Sequence, residues 1–418
     1  MIEVDIRHGD CLAALRDLPD NSVDSVVTDP PYGLSNTKPQ QVADVLAAWV
    51  TGETEAVPAK KGGFMGKDWD SFVPPPAVWI ECLRVLKPGG HMAVFAGART
   101  QDLMGLSIRL AGFEIRDTLG WIYGSGFPKS MDVSKAIDKA SGAEREVLSE
   151  RPAYGIGGNG ILSGHAEGAT AKTTAPATPE AVKWDGWGTA LKPAIEPIIL
   201  ARKPLVGTVA NNVLEHGVGG LNIDACRVGD DVRPKGASTG EIVSENGSMA
   251  GPNTGRKVVG TVTGRFPANV LLDEHAAKEM DRQSGVSVSR ASAGRNGKDT
   301  AEATWGLNRK DDTVRGHNDS GGASRFFPVF KYQAKAPKKE RPVFVREDGT
   351  KITHPTVKPV ALMEWLVTLI TPEGGTTLDP FAGTGTTLQA ARNKGFNSIG
   401  VEQDDDYIQL IEARLSTD

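Results

Sequence analysis

The stretch Asp379-Pro380-Phe381-Ala382-Gly383-Thr384-Gly385-Thr386-Thr387 constrains the fold most, because it lies between a short strand, Thr376 to Leu378, and helical spacing from Leu388 to Lys394. Glycine in such a turn lets the backbone approach a ligand closely, and the helix that follows presents free N–H groups to an anion. A further strand, Asn397 to Val401, ends at Glu402 and is followed by a last helix, Tyr407 to Leu415. The C-terminal block is therefore a complete β-α-β unit.

The N-terminal part has the same rhythm. Val4 to Arg7 reads as a strand, His8-Gly9-Asp10 as a turn and Cys11 to Leu18 as a helix. The apolar run Val23 to Val27 reads as a buried parallel strand, closed at Thr28 by the stiff turn Asp29-Pro30-Pro31-Tyr32. From Gly33 to Pro76 the sequence is polar and irregular, with an aromatic and charged patch, Phe64 to Trp69, expected on a loop. Helical spacing returns from Ala77 to Leu86 and is stopped by Lys87-Pro88-Gly89-Gly90. A strand from His91 to Phe95, a helix from Arg99 to Ala111 and a strand from Phe113 to Tyr123 follow. Alternation of this kind predicts an α/β fold with a parallel sheet. Because the nucleotide-type unit comes last, the sheet is expected to be circularly permuted.

Between about Gly124 and Lys351, Gly, Ser, Thr, Asn and Ala dominate, and Gly155 to Gly160 and Gly316 to Gly322 approach low complexity. Three regions are expected: 1–125 as one half of a core, 126–351 as a large loop-rich insertion, and 352–418 as the other half. Within the insertion, Ala194 to Ala201 reads as a strand returned to the core, and Asn269 to Leu272 as another short strand.

At 418 residues, with 39% hydrophobic and 24% charged residues, the chain can bury a real core. No apolar run nears the ~20 residues that cross a bilayer, and the N-terminus lacks a signal-peptide pattern, so a cytoplasmic protein is expected. Cys11, Cys82 and Cys226 have neither disulfide-framework nor zinc spacing and read as free thiols. His165, His216, His275 and His317 are scattered in polar stretches, and no metal site is expected. The net charge of −5 excludes a uniformly basic surface; positive charge is concentrated between Arg325 and Lys351, either as a nucleic-acid contact or as a solvated loop.

Two constellations carry chemistry. Glu402 follows the glycine-rich turn by roughly 20 residues, where a carboxylate can accept hydrogen bonds from both ribose hydroxyls of an adenosine. The turn lacks the third glycine of a dinucleotide fingerprint and the lysine of a phosphate-binding loop, which disfavours NAD and ATP. At Asp29-Pro30-Pro31-Tyr32, the Asp29 carboxylate and the Pro30 carbonyl can accept the two hydrogens of an exocyclic amine. That leaves the nitrogen lone pair free to act as a nucleophile. Consecutive prolines hold the carbonyl still, and Tyr32 offers a flat face to a base taken out of its stack. A strand-ending turn in which Asp29 caps a neighbour and Tyr32 packs is the alternative.

Thr28-Asp29-Pro30-Pro31-Tyr32-Gly33 near one end and Leu378-Asp379-Pro380-Phe381-Ala382-Gly383-Thr384-Gly385-Thr386-Thr387 near the other resemble the β class of amino-group DNA methyltransferases, phage and prophage members included. The resemblance implies a Rossmann-like S-adenosylmethionine (SAM)-dependent methyltransferase sheet of seven strands, and in many members a homodimer. It implies catalysis by Asp29, Pro30, Pro31 and Tyr32. SAM would be bound by Asp379, Phe381, Ala382, Gly383, Thr384, Gly385, Thr386 and Glu402, with Asp10 near the adenine and the segment His354, Thr356 and Lys358 closing over the methionine end. Asp10 serves equally well as a helix cap, and His354 and Lys358 as loop ends. Asp before Pro-Pro-Tyr favours adenine N6 in DNA; cytosine N4, RNA or a protein glutamine are the alternatives. No nuclease-like cluster of carboxylates stands out, which favours a stand-alone enzyme with no evident nuclease partner. Trp121 to Ser130, Trp184 to Gly188 and Glu196-Pro197-Ile198 also resemble phage-type members; Trp184 and Trp187 suit either core packing or an unstacked base.

Overall fold

A computed structural model describes residues 2–35, 37–58, 70–124, 126, 130–152, 170–238, 256–289, 319–330, 341–354 and 356–416. The patch Phe64 to Trp69, and Gly155 to Gly160, lie outside them. The centre is a sheet whose strands we number in chain order: β1 (Val4–His8), β2 (Val23–Thr28), β3 (Leu86–Phe95), β4 (Glu114–Ile122), β5 (Ile195–Arg202), β6 (Val270–Asp273), β7 (Val329–Phe330), β8 (Thr376–Asp379) and β9 (Asn397–Glu402). They lie in the order β1-β9-β8-β2-β3-β5-β4-β6-β7. Neighbours are parallel except where β5 runs antiparallel between β3 and β4.

The sheet has nine strands rather than seven, because β6 and β7 continue it beyond β4 with parallel pairing. Both come from the stretch read as an insertion, as does β5, so the three regions of sequence meet in one sheet.

Helices α1 (Cys11–Arg16), α2 (Pro39–Val50), α3 (Pro76–Val85), α4 (Gln101–Leu110), α5 (Val360–Ile370), α6 (Thr386–Lys394) and α7 (Asp405–Leu415) flank it. Strand alternation sorts the core into two layers. Met92 and Val94 of β3 pack with Leu15, Trp49, Trp79 and Met104 on one face, while Ala93 and Phe95 pack with Leu362, Leu366 and Ala390 on the other. Leu366 is fully buried, a contribution of about 1.5–3 kcal/mol from its side chain. Helix α2 falls in the stretch read as irregular: Val42, Val45, Leu46 and Trp49 carry helical spacing between polar residues, and Trp49 meets Phe72 edge-on at 5.9 Å. Among the described residues, no helix is long and apolar enough to cross a membrane. All three cysteines are free thiols; Cys82 and Cys226 are buried and Cys11 is half-buried.

This topology places the site. From β8 the chain moves outward through α6 to β9; from β2 it moves the opposite way, through α3 to β3. β8 and β2 are direct neighbours, with Leu378 opposite Val26. The sheet order thus reverses between them, and a crevice opens at the carboxyl ends of adjacent strands at such a point.

Candidate active site

A cavity of about 1050 Å³ occupies that position. Gly9, Asp10, Phe381, Gly383, Thr384, Thr386 and Glu402 line one end of it, and Asp29, Pro30, Pro31, Tyr32, Glu196 and Lys358 the other. Two motifs separated by most of the chain share this cavity because their strands pair.

The Asp29 turn is anchored from several sides. Thr28 Oγ1 donates to Asp379 Oδ1 at 2.7 Å, tying the end of β2 to the end of β8. The N–H groups of Tyr32 and Gly33 donate to Asp70 Oδ1 at 2.7 and 2.9 Å, and Thr100 Oγ1 donates to the Tyr32 carbonyl at 2.6 Å. Gly33 has φ +66°, and a Cβ there would lie 2.7 Å from the Val73 nitrogen, so the turn can follow this path only with glycine.

Asp29 sits in a compact polar cluster. Tyr32 Oη donates to Asp29 Oδ1 at 2.8 Å, and Lys358 Nζ donates to Asp29 Oδ2 at 2.6 Å and to Tyr32 Oη at 3.1 Å. Glu196, at the start of β5, brings Oε2 to 3.4 Å from both Tyr32 Oη and Lys358 Nζ. Burial alone would lower the Lys358 pKa, but Asp29 and Glu196 outweigh it and hold the ammonium above its ordinary value. Tyr32 is pushed well above its ordinary value by burial, and then by the charges of Asp29 and Glu196. The resemblance set Lys358 over the methionine end of SAM; the structure sets it on the Asp29 carboxylate. Glu196 was quoted only as part of a phage-type segment, and Asp70 not at all. A carboxylate opening an otherwise apolar strand was the available signal for Glu196.

At the other end, Glu402 Oε2 accepts from Gly383 N at 2.8 Å, and Oε1 accepts from Gln403 N and Asp404 N at 2.9 Å each. Burial raises this carboxyl to about 7 against the pull of those bonds. Asp379 is turned inward: it accepts from Thr387 Oγ1 at 2.6 Å, from Thr28 Oγ1 and from Phe381 N, and burial raises it to about 6. Its geometry braces the turn. Gly385 has φ +71°, and a Cβ there would come within 2.9 Å of Ile411, so α7 can close against the turn only over glycine. Ala382 N donates to the Val401 carbonyl at 2.9 Å, the buried Arg414 donates to the Thr384 carbonyl at 2.6 Å, and Thr386 opens α6. Phe381 leans on Trp79.

Asp10 is the N-cap of α1, accepting from Ala13 N at 3.0 Å, and it also faces the cavity. Gly9 N donates to the Glu402 carbonyl at 2.9 Å, which seats this loop beside Glu402. The His354 ring meets Tyr407 edge-on at 4.6 Å, and Thr356 donates its N–H to His354 Nδ1 at 3.2 Å, both at the cavity wall.

Elsewhere, Trp121 and Tyr123 are buried and line the cavity, whereas Trp184 and Trp187 are exposed and contact each other at 5.0 Å. In the basic stretch, Arg346 pairs with Asp406 of α7 and Arg325 lies over Phe326 at 4.4 Å; 331–340 lie outside the described residues. Among the described residues, no group of three or more His, Cys, Asp or Glu could hold a metal ion.

Residues 229–413 match the family model described as DNA methylase. The chain is 36% identical over 73 residues to the Type II methyltransferase M.ScaI of Streptomyces caespitosus, covering 18% of this chain and 24% of that protein. It is 38% identical over 65 residues to the Type II methyltransferase M2.DpnII of Streptococcus pneumoniae, covering 16% and 24%. The matched stretch thus spans about a quarter of the length of these relatives. Among solved structures, a PvuII DNA methyltransferase described as cytosine-N4-specific superimposes with a TM-score of 0.42 at 14% identity, over 98% of this chain and 85% of that one. The family model covers less than half of the chain: the glycine-rich turn lies inside the matched residues and the Asp29 turn outside them, though both line the same cavity, and over the matched stretch the chain is similar to the family described as DNA methylase.

Proposed function

We propose that this protein methylates the exocyclic amino group of a base at a specific DNA sequence, adenine N6 being the target, with the base turned out of the duplex into the cleft. One observation carries the reading: Asp29 and Glu402 project from the carboxyl ends of strands on the two sides of the switch point into the same cavity.

The residues fit SAM. Glu402, already held by three backbone N–H groups, has lone pairs left for ribose hydroxyls, and the Gly383 edge leaves room for an adenosine against the backbone. Asp10 and Phe381 would flank the adenine, and His354 and Thr356 the methionine end. When bound, SAM supplies an electrophilic methyl carbon on its sulfonium.

The chain's own groups then act on the base. The Asp29 carboxylate and Pro30 carbonyl accept its amine hydrogens and direct the nitrogen lone pair at the methyl. Lys358 donates to Asp29 Oδ2 and fixes the orientation of that carboxylate, and Asp70 and Thr100 fix the turn that carries it. Asp29 in place of a serine before Pro-Pro-Tyr favours adenine, by the tendency of the family.

The test is incubation of DNA with the protein and methyl-labelled SAM, followed by mass spectrometry of the nucleosides. Label in N6-methyladenine is expected. Label in N4-methylcytosine alone would retain the mechanism but overturn the target, and transfer to RNA or protein without DNA would overturn the substrate.

A further inference from the structure

The polar cluster around Asp29 holds more negative charge than positioning requires: two carboxylates, Asp29 and Glu196, share one ammonium, that of Lys358, in a site that is largely closed. Placing a second carboxylate in such a site costs desolvation, and one anion would suffice to hold Lys358. We propose that Glu196 receives the proton released by the methylated base, through Tyr32. This rests on the methyl-transfer reading above.

The reaction leaves a proton to be moved. An amine nitrogen that has formed a bond to a methyl carbon carries two hydrogens, a methyl group and a positive charge, and must lose one proton to give the neutral product. Asp29, which accepts from that nitrogen, takes the proton as the N–H bond breaks and an O–H bond forms. Tyr32 Oη stands 2.8 Å from Asp29 Oδ1 and 3.4 Å from Glu196 Oε2. Its oxygen accepts the proton from Asp29 as its own hydrogen passes to Glu196. Tyr32 ends neutral, Asp29 ends ionised, and Glu196 ends as a carboxylic acid. No electrons are exchanged beyond those of the bonds named.

The geometry also excludes the other groups as terminus. Lys358 already carries its full complement of protons, and Asp29 must be cleared for the next base. The Glu196 side chain retains 26% of its surface, against 23% for Asp29 and 12% for Lys358, so a proton delivered to Glu196 can pass on to water without returning through the base-binding carboxylate.

Glu196 acts through Tyr32 and not on the base, so its test must separate proton removal from support of the fold. We expect the Glu196→Gln protein to bind SAM and DNA as the parent does while its steady-state methyl-transfer rate falls by about 100-fold, because Asp29 is no longer cleared between turnovers. The pH dependence of that rate should flatten, because the amide cannot take up the proton. Glu196→Asp should recover part of both. A Glu196→Gln protein with the parent's rate and pH profile would overturn the proposal. So would a rate loss in both variants accompanied by an equal loss of SAM and DNA affinity, which would make Glu196 structural. Asp29→Ala is run alongside: if it still transfers methyl groups, the catalytic reading itself falls, whereas an inert Asp29→Ala beside a normal Glu196→Gln removes only the proton path.

Discussion

Under the proposed function, a single side chain, Glu402, couples ligand binding to pH. Burial raises its carboxyl to about 7, well above the range it has in an unfolded chain. A raised acid favours the fold most below its unfolded value, and that contribution is lost as pH climbs through the folded one. SAM runs the other way, since the ribose needs the ionised acceptor. Calorimetry is expected to show SAM affinity increasing as pH climbs through about 7 and levelling above it, while the ligand-free melting temperature loses this contribution between pH 4.5 and about 7. Glu402→Gln should flatten the affinity profile; a parent profile that is already flat would show that Glu402 does not contact the ribose. Asp70 offers a second residue-scale test. It accepts two N–H groups of the Asp29 turn while almost fully buried, so Asp70→Ala leaves both donors unpaired. A stability loss of about 1–3 kcal/mol by denaturant titration, with a larger loss in methyl transfer than in SAM affinity, is expected. Equal losses in both would place its effect on the whole fold.

At the scale of elements, helix α1 separates two roles for Asp10. Its carboxylate caps the helix through Ala13 N while facing the cavity. Serine caps equally well, so Asp10→Ser should keep the melting temperature and Asp10→Ala lose about 1 kcal/mol. SAM affinity retained in the serine variant would mark Asp10 as a cap alone; affinity lost in it while the melting temperature is kept would mark the carboxylate as a ligand. How much was legible follows the same division. The fully buried strand β2 was readable because it stops at a sharp turn after Thr28, and β9 because it follows the glycine-rich turn and its helix and stops at Glu402, each next to a proposed site residue. Helix α5 matched its sequence reading from Val360 to Ile370, since Pro359 and Thr371 bracket an apolar segment. Helix α2 was obscured because polar residues separate its four packing positions. The Lys358–Asp29 pair was unreadable for a different reason. It joins positions 329 residues apart, and nothing local to either announces the contact.

For the molecule as a whole, the order of elements differs from their order in space. β1 pairs with β9 from Val4–Ser398 to His8–Glu402, so the first strand and the last lie side by side at one edge of the central sheet. A permuted variant with 352–418 joined by a flexible linker ahead of residue 2 should therefore fold and bind SAM, as far-ultraviolet circular dichroism and calorimetry would show. An unfolded product would mean that the link through 341–351 is required for the two halves to assemble. The same arrangement underlies the central claim, that Asp29 on one half faces the ligand held by the other. A crystal structure of the protein soaked with sinefungin, in which an amine-bearing carbon stands in for the methyl sulfonium, measures this directly. The account expects the ribose on Glu402 and the sinefungin amine within about 4 Å of the space between the Asp29 carboxylate and the Pro30 carbonyl. An analogue bound elsewhere, or bound at Glu402 with its amine directed away from Asp29, would contradict it.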